Sequence, residues 1–147
     1  MTDVALNCAY AVGAVNAVVG VWGTWLWWRV EVGTHYWTAV RVAQVACGVQ
    51  ALVAGILWLS GHHHGDNLYY LYALLPLFVG FAAEQFRILS AQTVLDARSL
   101  EDAQAVGRLP EAEQRSVVLA IVRRETGIMA LSMLVVVFLC WRAAITL

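Results

Sequence analysis

The chain alternates long apolar runs with shorter polar connections. Four runs are each long enough to cross about 30 Å of hydrocarbon, which takes about 20 helical residues. They lie at residues 4–28, 37–60, 68–87 and 126–147. Two short connections, RVEVGTHY and GHHHGDN, join the first three runs, so we expect consecutive helices to run antiparallel.

The one long polar segment, residues 88–125, has a helical pattern of its own. The third helix is predicted to continue beyond the membrane. Ser99 is the predicted N-cap of a short helix that stops at Gly107, and Pro110 takes a favoured first-turn position in the helix that leads into the fourth run. Arginines in this segment alternate with acids, which predicts a salt-bridged surface rather than a polybasic lipid-binding patch. We therefore expect a helical hairpin between the third and fourth membrane helices.

Composition places the chain outside the soluble class. It is 61% hydrophobic and 13% charged, whereas soluble domains are roughly 45–50% apolar and about 25% charged. The net charge of -1 offers no basic surface to nucleic acid. The first run lacks preceding basic residues and an AxA-like cleavage site, so we expect it to be a mature span. The predicted fold class is an all-α integral membrane protein: a single domain, 1–147, forming a four-transmembrane-helix antiparallel bundle with a cytoplasmic helical hairpin at 88–125.

The distribution of arginine predicts the orientation. Arginines cluster in the first and third connections and are absent from the N-terminus and the second connection, so the positive-inside rule places the first and third connections in the cytoplasm and both termini outside. Arg142 is the exception, near the outer end of the fourth run. All nine basic residues are arginine, which suggests a GC-rich genome, and we expect a multi-pass protein of a bacterial plasma membrane.

Ionisable side chains within a span cost about 2.5 kcal/mol or more at its centre, so each needs a partner. Glu84 and Arg41 lie at comparable depths in the third and second runs, which predicts an Arg41–Glu84 pair. Arg87, one turn from Glu84, is the competing partner. Gln44 follows Arg41 by three residues, and Asn16 on the first run could extend a buried polar seam.

Two interpretations of these polar residues stay open. Glu84 could be the titrating group of a proton or ion path, or it could belong to a structural clamp. We favour the clamp, because an acid beside an arginine is normally held ionised. Pro76 is predicted to kink the third helix, since it removes one backbone hydrogen bond near the middle.

The His-rich connection offers a weak metal site. His62 and His64 with Asp66 could hold Zn or Cu, but a solvated turn with no bound cofactor is the expected state. Haem held by two histidines inside the bundle is disfavoured, because no histidine lies within the predicted spans. Cys8, Cys47 and Cys140 lie far apart in apolar runs and are predicted to be packing residues.

No motif for catalysis or phosphate binding is present, so we do not expect an enzyme. The favoured function is a non-catalytic accessory or assembly subunit that packs against a larger membrane complex, respiratory or transport. One alternative is a small homo-oligomeric ion or proton channel or transporter that uses Glu84. The other is a metal- or haem-handling protein that uses the loop at residues 62–66.

Overall fold

The computed structural model describes residues 2–31, 33–61 and 67–147, and these parts of the chain contain helices and no strand. The helices are α1 (Thr2–Arg29), α2 (Thr34–Leu59), α3 (Leu68–Asp96), α4 (Ala103–Gly107) and α5 (Glu111–Ile145). The all-helical part of the predicted fold class is therefore confirmed for the described residues.

Four of the helices, α1, α2, α3 and α5, are long and apolar enough to cross a membrane. This indicates a multi-pass membrane protein. The helices are longer than the apolar runs, because α3 continues to Asp96 and α5 already begins at Glu111. Likewise α2 begins at Thr34, so His35 lies in the first turn of a membrane-capable helix. The prediction that no histidine lies within a span rests on the apolar run that begins at residue 37, and it stays a prediction.

The long helices form a closed ring in which each has two neighbours. The helix α5 packs most extensively, against α1 and α3, and α2 packs less closely against the same two helices. Buried side chains fall into three layers along the bundle. Val19, Tyr36, Ala83 and Met129 belong to the first layer, Val12, Cys47, Val136 and Cys140 to the second, and Ala5, Ala54, Tyr69 and Ala143 to the third.

Glycine allows the closest approaches in the ring. A side chain at Gly127 of α5 would meet the indole of Trp27 at 2.9 Å, and one at Gly23 of α1 would collide with the buried ring of Tyr36. By contrast, a side chain at Gly48 or Gly55 of α2 would meet nothing within 4 Å. The fold therefore requires glycine at Gly23 and Gly127, whereas the described chain gives no packing reason for glycine at Gly48 and Gly55.

The segment between α3 and α5 differs from its prediction at the N-cap of its short helix. Ser99 does not cap a helix: its φ is 56° and it lies in the turn after α3. Asp102 is the N-cap instead, and its Oδ1 accepts the Ala105 N–H at 2.8 Å. The short helix α4 begins only after this cap, so the segment is a tight turn and one helical turn between two long helices.

The expected salt-bridged surface on this segment was also wrong for the described residues. None of the ion pairs among them involves the arginines of residues 98–124. Arg98 instead donates to the Ser116 hydroxyl at 3.0 Å. The segment is held by apolar packing, in which Val94, Leu95 and Val117 are buried. Alternation of charge along the chain did not bring opposite charges within reach in space.

Candidate functional site

A charged cluster joins α2 and α3 near the end of the bundle where α1 ends and α2 begins. Arg41 Nη1 lies 2.8 Å from Glu84 Oε1, and Arg87 Nη2 lies 3.1 Å from Glu84 Oε2. The structure thus brings both candidate partners to Glu84, one to each carboxylate oxygen. The sequence argument treated the two arginines as competitors, yet a carboxylate has enough lone pairs for both.

Gln44 completes the cluster from the helix that carries Arg41. Its Nε2 donates to Glu84 Oε1 at 2.9 Å, and its Oε1 accepts from Arg41 Nη1 at 2.8 Å. One carboxylate oxygen therefore accepts from two side chains of α2, while the other forms an ion pair with Arg87 of its own helix. Bonds of this kind, in which one or both groups are charged, are roughly twice as strong as neutral ones. We call Arg41, Gln44, Glu84 and Arg87 the charged cluster.

The two arginines differ in how far they are covered. The Arg87 side chain is 25% exposed, and its guanidinium lies 5.0 Å from the centre of the Trp37 ring. The Arg41 side chain is 59% exposed and uses only Nη1 in its contacts with the described residues. A guanidinium has five N–H donors, so most donors of Arg41 point to no group of the described chain.

A small cavity of about 200 Å³ extends from the charged cluster into the bundle. Gln44 and Glu84 line one part of it, and Asn16 of α1, Pro76 of α3 and Ser132 of α5 line the rest. All four long helices thus contribute to its wall. Its volume exceeds the roughly 10–15 Å³ that one water needs, and its wall is mostly apolar.

Asn16 is the most deeply placed polar residue of this cavity. It is fully buried, and its Nδ2 donates to the Val12 carbonyl at 2.9 Å and approaches Cys47 Sγ at 3.6 Å. Its Oδ1 has no hydrogen-bond partner among the described residues. Since a buried amide oxygen without a partner costs about 1–3 kcal/mol, a water or a small polar ligand in the cavity would relieve that cost.

Sequence reasoning missed three polar residues. Gln50 is 1% exposed and accepts from Cys140 Sγ at 3.3 Å, which ties α2 to α5 one layer beyond Asn16. Ser132 lines the cavity, and its hydroxyl donates to the Met129 carbonyl at 2.8 Å. Glu125 of α5 lies near enough to Arg87 and Glu84 to interact with their charges. An amide within an apolar run was the available signal for Gln50.

The remaining predicted residues divide into two groups. Pro76 lies buried inside α3 and lines the cavity, while the bend expected there stays a prediction. The proposed metal ligands His62, His64 and Asp66 lie outside the described residues. In the parts of the chain that are described, no three His, Cys, Asp or Glu side chains come together as a metal site would require.

Comparison of the chain with protein-family models, with curated proteins and with solved structures gives no match. The charged cluster and the cavity are therefore interpreted from their own geometry.

Proposed function

We propose that this chain is a non-catalytic accessory or assembly subunit of a larger membrane complex, respiratory or transport. It would form an antiparallel four-span bundle in a bacterial plasma membrane, with both termini outside and the α3–α5 turn in the cytoplasm. The three buried layers support the antiparallel arrangement, because residue numbers from the first layer to the third fall along α1 and α3 and rise along α2 and α5.

The observation that carries this proposal is the exposed guanidinium of Arg41. Arg41 lies four residues beyond Trp37, where the second apolar run begins, so it lies about 6 Å into that run at 1.5 Å per residue. A charge at that depth is costly in lipid unless it is paired or reaches the interface. Glu84 is also paired with Arg87 and accepts from Gln44, which leaves the unused donors of Arg41 available to a group on a neighbouring protein.

The outer face of α2 has the spacing of a helix–helix seam. We define this face as Arg41, Val45, Gly48, Leu52 and Gly55, which repeat at four and three residues. Val45 and Leu52 are each 68% exposed, and the two glycines are open. Positions that repeat every 3.5 residues form the contact stripe of left-handed helix pairs, and small residues let membrane helices approach closely. A partner helix with an acidic or amide side chain opposite Arg41 would fit this face.

Site-specific photocrosslinking in membranes of the source cells tests the proposal. A photoreactive side chain at Val45 should give one discrete adduct with another membrane protein, and Arg41→Leu should weaken that adduct several-fold. The matched control is Val18 of α1, which is 69% exposed and should yield only lipid adducts. Lipid adducts alone at both positions, or an Arg41→Leu variant with an unchanged adduct, would contradict the proposal.

A second function, a small ion or proton channel or transporter working as a homo-oligomer, is favoured by one observation. The cavity extends from Glu84 to Asn16, as the start of a hydrated path would. The engagement of both Glu84 oxygens by arginines weighs against it. In proteoliposomes with a pH gradient, a channel should dissipate the gradient, and both Glu84→Gln and Asn16→Leu should stop the flux. Dissipation no faster than in protein-free liposomes removes this candidate.

A further inference from the structure

Two apolar grooves run along α5 on either side of one ridge. The first, about 580 Å³, lies between α3 and α5 and is lined by residues such as Phe78, Phe86 and Val135. The second, about 570 Å³, lies between α1 and α5 and is lined by residues such as Trp27 and Leu134. Each volume is in the range of about 300–1,000 Å³ that is usual for ligand sites.

The grooves meet at Arg124. Ser90, Arg124, Ile128 and Leu131 line both of them, so Ile128 and Leu131 form the ridge and Arg124 stands where the two join. Arg124 is exposed and makes no ion pair or hydrogen bond with the described residues. The guanidinium of Arg124 is therefore an unpaired charge on the otherwise apolar surface that the two grooves form.

The part of the grooves between Arg124 and Val135 matches one leaflet in length, and the first groove continues along α3 to Thr93. From Arg124 to Val135 is eleven residues, about 16 Å at 1.5 Å per residue, and half of a hydrocarbon core is about 15 Å. Arg124 is also predicted to lie near the border of the membrane, because it stands two residues before the fourth apolar run, which begins at residue 126. A molecule with its head at Arg124 would thus extend two chains to about the middle of the bilayer.

The charges around Arg124 favour a lipid with an anionic head group. Around this border lie five arginines, at positions 29, 41, 87, 123 and 124, and three glutamates, at positions 31, 84 and 125, which leaves two positive charges in excess. Two of these acids are in ion pairs, Glu31 with Arg29 and Glu84 with Arg41 and Arg87, while the charge of Glu125 interacts with those of Arg87 and Glu84. The two excess positive charges favour an anionic head group, whose phosphate a guanidinium binds bidentately.

We propose that an anionic phospholipid straddles α5, with its phosphate on Arg124 and one acyl chain in each groove. Basic pockets between membrane helices bind anionic head groups in this manner. The site lies on α5, across the ring from the outer face of α2, so the proposal does not depend on a partner protein there.

Native mass spectrometry of the purified full chain tests the proposal. The probes are phosphatidylglycerol and phosphatidylcholine with identical chains. One phosphatidylglycerol should bind per chain at about tenfold lower concentration than phosphatidylcholine. Arg124→Gln should abolish this preference, while Arg108→Gln, which removes an exposed arginine away from the grooves, should preserve it. Equal binding of the two lipids, or equal effects of the two variants, would overturn the proposal.

A groove-filling variant keeps the test decisive if Arg124→Gln does not fold. Leu131 lines both grooves, so Leu131→Trp should reduce retention of both lipids several-fold while the helical circular dichroism is maintained. Unchanged retention would overturn the proposal. So would a photoreactive group at Leu131 that gives adducts with a protein, including a second copy of this chain, in place of lipid.

Discussion

At the scale of single residues, the charged cluster is asymmetric. Arg87 is mostly covered and stacks on Trp37, while Arg41 is more than half exposed. Arg87 Nε is buried and has no partner among the described residues. The interior contacts of the cluster thus depend more on Arg87, and its outward-facing donors belong to Arg41.

Replacement of the two arginines should therefore have unequal effects on stability. Arg87→Leu leaves Glu84 Oε2 without its donor and removes the stacking on Trp37, so we expect a loss of about 1–3 kcal/mol. Arg41→Leu should cost about 1 kcal/mol or less, because Gln44 still donates to Oε1. Unfolding of the detergent-solubilised variants, followed by circular dichroism, measures both. Arg108→Gln is the control, and a larger loss for Arg41→Leu than for Arg87→Leu would contradict this account.

The position of each residue within its apolar run was sufficient to predict which residues meet Glu84, because every helical residue adds a fixed rise along the axis. It was not sufficient for Gln50 and Cys140, whose contact depends on how α2 and α5 are rotated about their axes. It also could not show that both arginines bind one carboxylate. Rotation and side-chain reach arise from packing among all four long helices, which apolar runs do not encode.

At the scale of helices, some glycines lie at close internal contacts and others lie on the open surface. Gly23→Ala should cost about 1–3 kcal/mol, because the added methyl group collides with the buried Tyr36 ring. Gly48→Ala should leave the isolated protein unchanged or stabilise it by about 0.5–1 kcal/mol, since the methyl group meets nothing. The same unfolding measurement compares the two. A destabilising Gly48→Ala would show that α2 packs on its own chain at that point.

The N-cap of α4 can be tested by hydrogen exchange at a single amide, that of Ala105. Asp102→Ala removes the acceptor of the Ala105 N–H, and loss of such a cap costs about 0.5–2 kcal/mol. The amide of Ala105 should then exchange with solvent about tenfold faster, as about 1.4 kcal/mol implies. Ser99→Ala should leave that exchange rate unchanged, because Ser99 does not cap the helix. Equal acceleration in both variants would contradict the observed cap.

Sequence patterns predicted the number of long helices, the continuation of α3 beyond its apolar run and the start of α5 beside Pro110, but not the N-cap of α4 or the start of α2 at Thr34. Apolar runs stop where charge begins, whereas helices stop where backbone hydrogen bonding stops, and α3 and α5 both extend past the apolar border. The false N-cap at Ser99 has a similar origin. Ser99 and Asp102 are both good capping residues, and the positive φ at Ser99, which excludes it, follows from the turn that ends α3.

At the scale of the whole molecule, packing is uneven in a way that suits a subunit. The helix α5 packs extensively against both of its neighbours, while α2 packs loosely and carries an exposed heptad stripe with open glycines. A chain that folded only for itself would gain nothing from glycine at Gly48 and Gly55, which weakens a helix by about 0.5–1 kcal/mol per site relative to alanine. The grooves beside α5 and the outer face of α2 are the separate surfaces that the two proposals assign to lipid and to protein.

The last prediction concerns the proposed topology, that is, the side of the membrane on which the second and third connections lie. Asn67→Cys and Arg108→Cys place single reporters in the second and third connections, at side chains that make no hydrogen bond or ion pair with the described residues. If the chain crosses the membrane four times with its α3–α5 turn inside, an impermeant maleimide should label Asn67→Cys in intact cells. It should label Arg108→Cys only after the membrane is opened. The parent chain controls for Cys8, Cys47 and Cys140, two of which are buried.

Each pattern of labelling has its own meaning. Labelling of both reporters from one side would contradict the antiparallel crossing of α3, and with it the depth at which Arg41 meets Glu84. Reversed labelling would keep the four crossings and overturn only the orientation. The orientation is predicted separately, from the arginines near the membrane border. In that case the excess charge around Arg124 would lie in the outer leaflet, and the lipid site would have to be filled from there.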